Sequence, residues 1–290
     1  MLAGLTFLYD GAFKNLPHVY GAYSNAFDWV SVGINLNLNK GCDQRCVYCH
    51  VPGLVSRAPQ AVNVDEVLQE LEAALHSLSS SPLRSKFPAL ASDGISNVAI
   101  CGDGEPTLCP NIDEMTVGLS DFLRSSRFDI SIGPLVMFTN GHFLRKKRVR
   151  RALQGMSRTG SQLWVKIDAV SPERQLKVNG FAHPIGRQVD GIVAASEFVD
   201  IQIKSCLVSF GAALDAGEAK RLCDVYRELA SRCAGTLSVD LYTINRPSRQ
   251  NADVRPVSQA QLDEIGSMVR ALGINVFVSD CGNYYSPNGT

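Results

Sequence analysis

The chain has 290 residues, 45% of them hydrophobic, which is enough for one large core, and we expect a single domain spanning residues 1–290. It carries 28 basic and 28 acidic side chains, so its charge excludes a strongly basic nucleic-acid binder, and no apolar run reaches the roughly 20 residues of a membrane helix. Because nine cysteines in so long a chain do not indicate a secreted disulfide scaffold, and because residues 1–10 lack a signal peptide's basic flank and cleavage site, we expect a cytoplasmic protein.

Apolar runs rich in β-branched residues alternate with segments of helical period along the chain. Residues 1–31 precede the first clear run, and we expect this N-terminal extension to cap the fold or to contact substrate. The predicted strands are Val32–Leu38, Asn97–Cys101, Leu135–Thr139, Leu163–Ile167, Ile201–Val208 and Leu237–Ile244, with Ile274–Val278 as a candidate seventh strand at the edge.

Two of the helical segments carry clear start signals. Asn63 is a predicted N-cap, with Glu66 three residues later, before the apolar positions of a helix that runs to Leu78. Ser258 opens a second helix, which Gly273 closes.

Six β-α units in series predict a parallel sheet with right-handed crossovers. An eight-unit barrel needs about 250 residues, so six units with an extension and a tail fit an incomplete barrel. We therefore expect the α/β class, as a partial (βα)6 TIM-like barrel with parallel strands. Its core would lie at about residues 32–275, followed by a C-terminal tail at 276–290, and the serine- and proline-rich stretch Ser79–Gly94 would be a surface loop.

The segment after the first predicted strand carries three closely spaced cysteines. Cys42, Cys46 and Cys49 form a C-x3-C-x2-C run, and the next cysteine is Cys101. A structural zinc site needs a fourth ligand, usually from a second C-x2-C pair, and a fully ligated ferredoxin cluster needs a fourth nearby cysteine. Three thiolates instead hold three irons of a [4Fe-4S] cluster and leave the fourth iron open to a ligand. The alternative is three unrelated buried cysteines.

With Tyr48 before the last cysteine, this run resembles the signature of the radical SAM superfamily. The resemblance implies a [4Fe-4S] cluster on Cys42, Cys46 and Cys49 whose open iron binds S-adenosylmethionine (SAM). Tyr48 and His50, which flank the last cysteine, would help to place SAM. The resemblance further implies an oxidoreductase that cleaves SAM reductively to a 5'-deoxyadenosyl radical, which abstracts hydrogen from a substrate. Its electrons would come from a partner such as flavodoxin or ferredoxin.

A glycine-rich turn follows the second predicted strand. Gly102, Asp103, Gly104 and Glu105 precede Pro106, and glycines at a strand's C-terminal end let the backbone approach a ligand. The turn resembles the G-G-E-P motif that binds the SAM ammonium in radical SAM enzymes, so the resemblance implies SAM contacts at these residues. Asp103 stands where the family usually has its first glycine, and its carboxylate would either help to hold a cation or face solvent.

Later strand ends supply further candidate SAM contacts. Asn140 lies in a T-N-G turn that resembles one found at this place in many radical SAM enzymes, although an ordinary Asn-Gly turn reads the same. Asp168 ends the fourth strand, where its carboxylate would either bind ribose hydroxyls or cap the next helix. Lys166 shares its face of the strand and is a candidate charge partner. Gln202 alternates with Lys204 on the fifth strand and would point inward.

Several segments resemble one branch of the superfamily, the wyosine-synthase-like proteins. They are Gly102–Leu108, Trp164–Ala169, Asn179 and Tyr242–Pro247. Wyosine synthase modifies a guanosine of tRNA, using pyruvate and a second iron-sulfur cluster whose cysteines lie N-terminal to the first. This chain has no cysteine before Cys42, so that activity is not expected of it, whereas the SAM chemistry is unaffected.

The substrate is the least constrained part of the sequence. The basic run Arg145–Arg151 would either contact RNA phosphates or form the solvated face of a helix, and the balanced net charge favours the solvated face. We therefore predict a small-molecule substrate of nucleotide or phosphorylated type, with RNA as the alternative partner and with no catalytic residue identified. The alternatives in function are a tRNA-modifying enzyme of wyosine-synthase type, an iron-sulfur protein that only binds or transfers electrons, and an enzyme that transfers the aminocarboxypropyl group of SAM.

The six remaining cysteines match no cluster or zinc spacing, and we expect them to be structural. The alternative is that Cys101, Cys206 and Cys281, each near a predicted strand end, have a functional role. They would then bind an auxiliary cluster or donate hydrogen to a substrate radical.

Overall fold

The computed structural model describes residues 5–8, 13–24, 29–79, 94–125, 128–157, 160–211 and 214–279. The strands are β1 (Leu5–Leu8), β2 (Val19–Ser24), β3 (Trp29–Ile34), β4 (Ile95–Ile100), β5 (Leu135–Thr139), β6 (Gln162–Lys166), β7 (Asp200–Cys206), β8 (Val208–Ser209), β9 (Leu237–Tyr242), β10 (Arg255–Pro256) and β11 (Asn275–Val278). Nine of them form one sheet in the order β1-β2-β3-β4-β5-β6-β7-β9-β11, while β8 and β10 pair separately.

Helices alternate with the parallel strands. They are α1 (Val64–Ser79), α2 (Ile112–Ser125), α3 (Lys147–Met156), α4 (Pro172–Asn179), α5 (Ile185–Ala195), α6 (Ala216–Arg232) and α7 (Gln259–Arg270). The strands from β3 to β9 in the main sheet pair in parallel, and each is followed by at least one helix, so the six predicted β-α units are confirmed. β11 pairs in parallel with β9 and is the seventh strand at the edge. The α/β class and the partial barrel are thereby confirmed.

The N-terminal extension is more regular than its sequence pattern indicates. β1 and β2 form an antiparallel hairpin, and β2 pairs antiparallel with β3. These residues therefore extend the edge of the parallel sheet as strands, which the sequence pattern of the extension did not predict. A close contact joins β2 to β3: the ring of Tyr20 packs on Gly33, where a Cβ would lie 2.2 Å from the ring. A glycine within a strand often marks such a close approach.

The helices pack on the sheet through their apolar faces. Leu71, Leu75 and Leu78 of α1 are fully buried. Asn63 accepts hydrogen bonds from the backbone N–H groups of Asp65 and Glu66 at 3.1 and 3.3 Å, which confirms the predicted N-cap. Ser258 likewise caps α7. The helix starts were therefore readable from local sequence, because a cap satisfies backbone groups within its own turn.

The opposite face of the sheet is concave. One cavity there is lined by residues of β3, β4, β6, β7, β9 and β11, which shows that the sheet curves around a common interior. The C-terminal ends of the parallel strands meet at one rim, where barrels of this kind place their functional loops. Most of the predicted surface loop, residues 80–93, lies outside the described residues. Of the helices in the described ranges, none has the length and apolarity needed to cross a membrane.

Candidate functional site

The three predicted cluster cysteines lie in the loop between β3 and α1. Backbone hydrogen bonds fix the loop: the N–H of Cys42 donates to the carbonyl of Val55 at 2.9 Å, and the N–H of Val55 donates to Lys40 at 3.0 Å. A further bond of 2.9 Å joins Cys49 to Cys46. All three thiols are partly buried. The fold itself therefore sets the path of the cysteine loop at the rim.

The end of α4 holds the centre of this loop. The backbone N–H groups of Arg45 and Val47 donate to the carbonyls of Asn179 and Val178, each at 2.8 Å. The side-chain amide of Asn179 donates to Sγ of Cys46 at 3.3 Å. One helix terminus thus fixes both the backbone around the middle cysteine and the surroundings of its sulfur.

The glycine-rich turn after β4 packs directly on the cysteine loop. A Cβ at Gly104 would lie 2.1 Å from the carbonyl oxygen of Gly41, so a side chain does not fit there. The N–H of Glu105 donates to the same oxygen at 2.9 Å. The Asn37 amide bridges the carbonyls of Gly41 and Glu105, at 3.1 Å to each. This contact requires glycine at position 104 for steric reasons alone.

Asn35 holds the start of the same turn. Its Nδ2 donates to Oδ2 of Asp103 at 3.1 Å, and its Oδ1 accepts from the Asp103 N–H at 3.2 Å. Gly102 has φ +154°, and a Cβ there would lie 2.6 Å from the Asn35 side chain. The Asp103 carboxylate, which departs from the family pattern, is therefore bound by Asn35 while remaining partly exposed.

The carboxylate of Glu105 is buried, pointing into the protein. It accepts hydrogen bonds from the N–H and hydroxyl of Thr107 at 3.1 and 2.5 Å, from the Thr139 hydroxyl at 2.6 Å, and from the Asn140 N–H at 2.8 Å. Burial raises the pKa of Glu105 above its ordinary value. With its acceptors occupied, the side chain ties the turn after β4 to the end of β5. At Glu105, only the backbone faces the cysteine loop.

Asn140 connects the end of β5 to the cysteine loop. Its amide donates to Oδ1 of Asp43 at 2.7 Å, and the ring of His142 lies 2.6 Å from Oδ2 of the same carboxylate. Burial opposes ionisation of Asp43, but the hydrogen bonds and charge of His142, together with Asn140, outweigh it and lower the pKa of Asp43. Asn140 therefore positions the residue next to Cys42, which an ordinary Asn-Gly turn would not do.

Asp168 is the centre of a buried polar layer beneath the loop. Its carboxylate accepts hydrogen bonds from the Tyr48 hydroxyl, from Asn179 at 3.0 Å and from the Cys206 N–H at 2.8 Å, and it pairs with Nζ of Lys166 at 3.0 Å. Asp168 does not cap the next helix, so that alternative is wrong: the N-cap of α4 is Ser171. To contact a ribose, Asp168 would have to give up one of its present donors.

Lys166 is the predicted charge partner of Asp168, and the structure confirms that pairing. Its ammonium also donates to the Tyr242 hydroxyl at 2.7 Å and lies 4.6 Å from the centre of the Tyr48 ring. Burial favours a neutral amine, but the Asp168 charge outweighs it, so the pKa of Lys166 lies well above its ordinary value. The layer therefore contains a fixed ammonium and a fixed carboxylate.

Two predicted residues lie apart from this layer. The ring of His50 accepts a hydrogen bond from Nε of Arg246 at 2.9 Å, and burial, with the Arg246 charge, lowers its pKa to about 4. His50 is therefore a neutral group at the rim. Gln202 lies deeper, on the wall of the cavity inside the barrel. That position is one inward step below Lys204, so Gln202 lies apart from the other predicted SAM contacts.

The donor set of the loop fits a cluster better than a single ion. Among the described residues, no three His, Cys, Asp or Glu side chains converge on one ion. A single zinc ion would draw its sulfur ligands to about 2.3 Å from one centre, whereas the three cysteines of a cube bind three different irons. Burial raises the pKa of Cys42 and of Cys46 to about 12, so binding of iron must release their protons.

The other cysteines are dispersed over the fold. Sγ of Cys101 lies 3.0 Å from the Tyr20 hydroxyl, while Cys206 ends β7 beside Lys166. Cys281, the third member of the alternative auxiliary cluster, lies outside the described residues. In the part of the chain that is described, Cys101 and Cys206 are not joined in a metal-binding group.

Sequence reasoning missed the amides that hold the site together. Asn35 and Asn37 bind the glycine-rich turn, and Gln188 donates to the carbonyls of Asn140 and Lys166 at 2.7 and 2.9 Å. The asparagines at positions 35 and 37 were open to prediction, because alternate polar residues at the end of a strand share one face. Gln188 gives no such signal, since it reaches the site from the first turn of α5.

Known proteins resemble this chain at two levels. The sequence model of the radical SAM superfamily matches residues 36–211. Two proteins from Helicobacter pylori, each called UPF0026 protein, are 25% identical over 239 residues (strain J99) and 23% identical over 238 residues (strain 26695). Each match covers 81% of this chain and 68% of the relative.

Solved structures share the fold at low sequence identity. A radical SAM methyltransferase from Sphaerobacter thermophilus has a TM-score of 0.59 at 16% identity, over 91% of this chain and 73% of that one. Streptococcus suis SuiB bound to its precursor peptide SuiA has a TM-score of 0.55 at 14% identity, over 84% and 48%. TYW1 with a lysine-pyruvate adduct has 0.53 at 14%, over 84% and 73%. At these identities the structures support the fold alone.

Proposed function

The chain belongs to the radical SAM superfamily, and from this premise we propose that it is an enzyme that cleaves SAM reductively to a 5'-deoxyadenosyl radical, which abstracts hydrogen from a small-molecule substrate. Members of the superfamily use a [4Fe-4S] cluster and SAM. When bound, these groups supply the radical chemistry, while the protein binds, orients and excludes water. We assign the cluster to Cys42, Cys46 and Cys49, within one domain spanning residues 1–290.

One observation supports the proposal above the others. The cysteine loop, the glycine-rich turn and the end of α4 interlock at the rim of the barrel, with Glu105 bonded to Gly41 and Asn179 bonded to Cys46. A protein that only carries electrons protects its cluster with a fourth cysteine and has no use for a glycine-rich ligand turn beside it. The arrangement therefore favours an enzyme over an electron carrier.

The polar layer beneath the loop has a positioning role. Asp168 holds the Tyr48 hydroxyl and the Lys166 ammonium, and it is almost fully buried. Side chains fixed in this way keep the groups above them in place, which radical chemistry needs if side reactions are to be avoided. The Asn179 amide donates to the sulfur of Cys46, and such bonds tune the potential of a cluster.

The basic run supports a small-molecule substrate over RNA. Arg148 donates to the carbonyls of Thr107 and Leu108 at 3.2 and 3.4 Å, and Arg151 pairs with Asp113 at 2.7 Å. Two of the run's cations are thus engaged within the protein. A phosphate-binding surface would need such cations free.

Anaerobic reconstitution with iron and sulfide, followed by reduction in the presence of SAM, tests the proposal. Dithionite replaces the physiological donor, which we propose is a flavodoxin or a ferredoxin. Mass spectrometry should detect 5'-deoxyadenosine. Methylthioadenosine would instead identify aminocarboxypropyl transfer, and an intact cluster with no SAM cleavage would favour an iron-sulfur protein without catalysis.

A further inference from the structure

A second concave site lies inside the barrel, towards the N-terminal ends of the strands. Its volume is about 540 Å³, within the roughly 300–1,000 Å³ of small-molecule sites. Its lining includes Trp29, Asn97, Trp164, Gln202, Asp240 and Phe277.

This cavity lies directly below the polar layer of the candidate SAM site. Trp164 and Lys166 are successive inward residues on β6, and Asp240 and Tyr242 hold the same relation on β9. Successive inward positions of a strand are about 7 Å apart. The cavity is therefore one layer removed from the cysteine loop, and neither Trp164 nor Asp240 belongs to the machinery described above.

Asp240, in the wall of the cavity, has one carboxylate oxygen without a hydrogen-bond donor among the described residues. Its Oδ2 accepts a hydrogen bond from Nζ of Lys204 at 2.7 Å. Its Oδ1 is buried and has no hydrogen-bond partner in the described part of the chain, and the residue is only 4% exposed. A buried carboxylate oxygen without a donor is unfavourable. A donor that approached from the cavity would complete the site.

The walls beside Asp240 are aromatic and flat. Trp164 is held by the Lys204 ammonium, 4.0 Å from its ring centre, by an edge contact with Phe138 at 6.1 Å, and by the bond from its Nε1 to Gln162. Phe277 also lines the cavity, and it is 51% exposed although an aromatic side chain is normally buried. Aromatic side chains such as these stack on planar heterocycles, including nucleobases of any type.

We infer that this cavity binds a planar nitrogen heterocycle. A ring N–H or amino group of the heterocycle donates a hydrogen bond to Oδ1 of Asp240. The Gln202 amide forms a hydrogen bond with a neighbouring polar group of the heterocycle, and the heterocycle stacks against the aromatic walls. The Lys204 charge is taken up by Asp240, so the described lining holds no cation to bind a phosphate. The ring therefore enters without a phosphate in the cavity, and a nucleoside should bind as well as its nucleotide.

The chain's own fluorescence reports on this site. It has two tryptophans, and both line the cavity. Full-length protein, before and after cluster reconstitution, is titrated with adenosine, cytidine, guanosine and uridine and with their 5'-monophosphates, without SAM or reductant. At least one nucleoside should change the tryptophan emission saturably, its monophosphate should bind no more tightly, and equilibrium dialysis should give the same affinity.

Matched variants separate recognition from folding. Gln202→Leu and Phe277→Ala should each weaken binding by about tenfold at an unchanged melting temperature. Asp240→Asn should weaken binding by more, but it also removes the charge partner of buried Lys204 and should lower the melting temperature. Met268→Ala, an exposed apolar residue on the outer face of α7, should bind like the parent. The inference is overturned if no nucleoside binds, if binding survives in both Gln202→Leu and Phe277→Ala, or if the monophosphates bind more than about tenfold tighter. Because no SAM chemistry is involved, failure here leaves the proposed function standing.

Discussion

The hydroxyl of Tyr48 donates a hydrogen bond to Oδ2 of Asp168, a residue 120 positions further along the chain. This bond joins the cysteine loop after β3 to the end of β6. Tyr48 immediately precedes Cys49, the last cysteine of the run, so the bond anchors the loop beside that cysteine. The position of the cysteine loop therefore depends on the carboxylate of Asp168, which is buried beneath the loop.

Tyr48→Phe should separate the placement of the loop from iron binding. It removes one donor to Asp168 and leaves all three cysteines, so we expect unchanged iron content, a loss of about 1–2 kcal/mol in the free energy of unfolding, and slower SAM cleavage. Iron quantitation, denaturant titration and 5'-deoxyadenosine formation measure the three effects. Tyr226→Phe is the matched control, because its buried hydroxyl bonds to Ser205 away from the loop. Equal loss of SAM cleavage in both variants would contradict the role of Tyr48.

Cys46→Ala should abolish iron binding at the cysteine loop and all SAM cleavage. The change leaves two of the three thiolates that a cube with one open iron requires, and it removes the sulfur to which Asn179 donates. Cys223→Ala is the control, since Cys223 is buried in α6 and should retain full iron content. A Cys46→Ala variant that still cleaves SAM would show that the cluster is bound elsewhere.

Gly104→Ala should destabilise the rim by steric overlap. The new Cβ would lie 2.1 Å from the backbone oxygen of Gly41, and we expect a loss of about 1–3 kcal/mol with reduced iron content. Gly186→Ala is the matched control, because no described atom, apart from those of its chain neighbours and the backbone of its own helix, lies within 4 Å of its Cβ position in α5. That change should raise stability by about 0.5–1 kcal/mol. Thermal melts and iron analysis of both variants test the contrast, and a Gly104→Ala protein with normal iron content would refute it.

Glu218→Gln should reveal a pH-dependent support for α4. The Glu218 carboxylate is buried and accepts bonds from the N–H groups of Val170 and Ser171, before the first turn of α4, and from Arg221. Burial alone would raise its pKa, but these donors outweigh burial and lower it. The stabilisation is therefore fully present above the ordinary glutamate pKa of about 4.3 and is lost as the pH falls through the lowered value.

Denaturant titrations at a series of pH values check this prediction. At neutral pH the free energy of unfolding of the parent should exceed that of Glu218→Gln by about 1–3 kcal/mol. This difference in free energy should become smaller as the pH falls below the ordinary glutamate pKa. Glu228→Gln is the control, because it removes an exposed ion pair with Arg232 and should leave the free energy of unfolding close to that of the parent. A difference between parent and Glu218→Gln that stays constant with pH would rule out the carboxylate as its source.

The parallel part of the fold was predictable because its signals are local. Leu135–Thr139 was predicted with the observed bounds, and the other predicted strands overlap the observed ones. The caps at Asn63 and Ser258 were also correct. The antiparallel hairpin of β1 and β2 was not predictable, because its pairing is set by contacts such as that of Tyr20 on Gly33 rather than by an alternating pattern.

The candidate site was only partly predictable. The residue types were correct for the cysteine run, and the pairing of Lys166 with Asp168 followed from their shared strand face. Sequence could not show that the Glu105 and Asp168 carboxylates point inward, because their partners, such as Thr139 and Asn179, lie on other elements. Gln202 faces inward as predicted, but at a different depth, since alternation gives the face of a strand and not the height along the barrel.

The backbone bonds from Arg45 and Val47 to the end of α4 bear on how far the cysteine loop depends on its cluster. Fixing one residue of a flexible loop costs about 1–2 kcal/mol of entropy, and these bonds join protein groups alone. The contacts of the loop with α4 should therefore survive loss of the cluster, and a chain whose cluster is destroyed by oxygen should stay folded and be refilled. A zinc finger, which unfolds when its metal leaves, lacks such contacts.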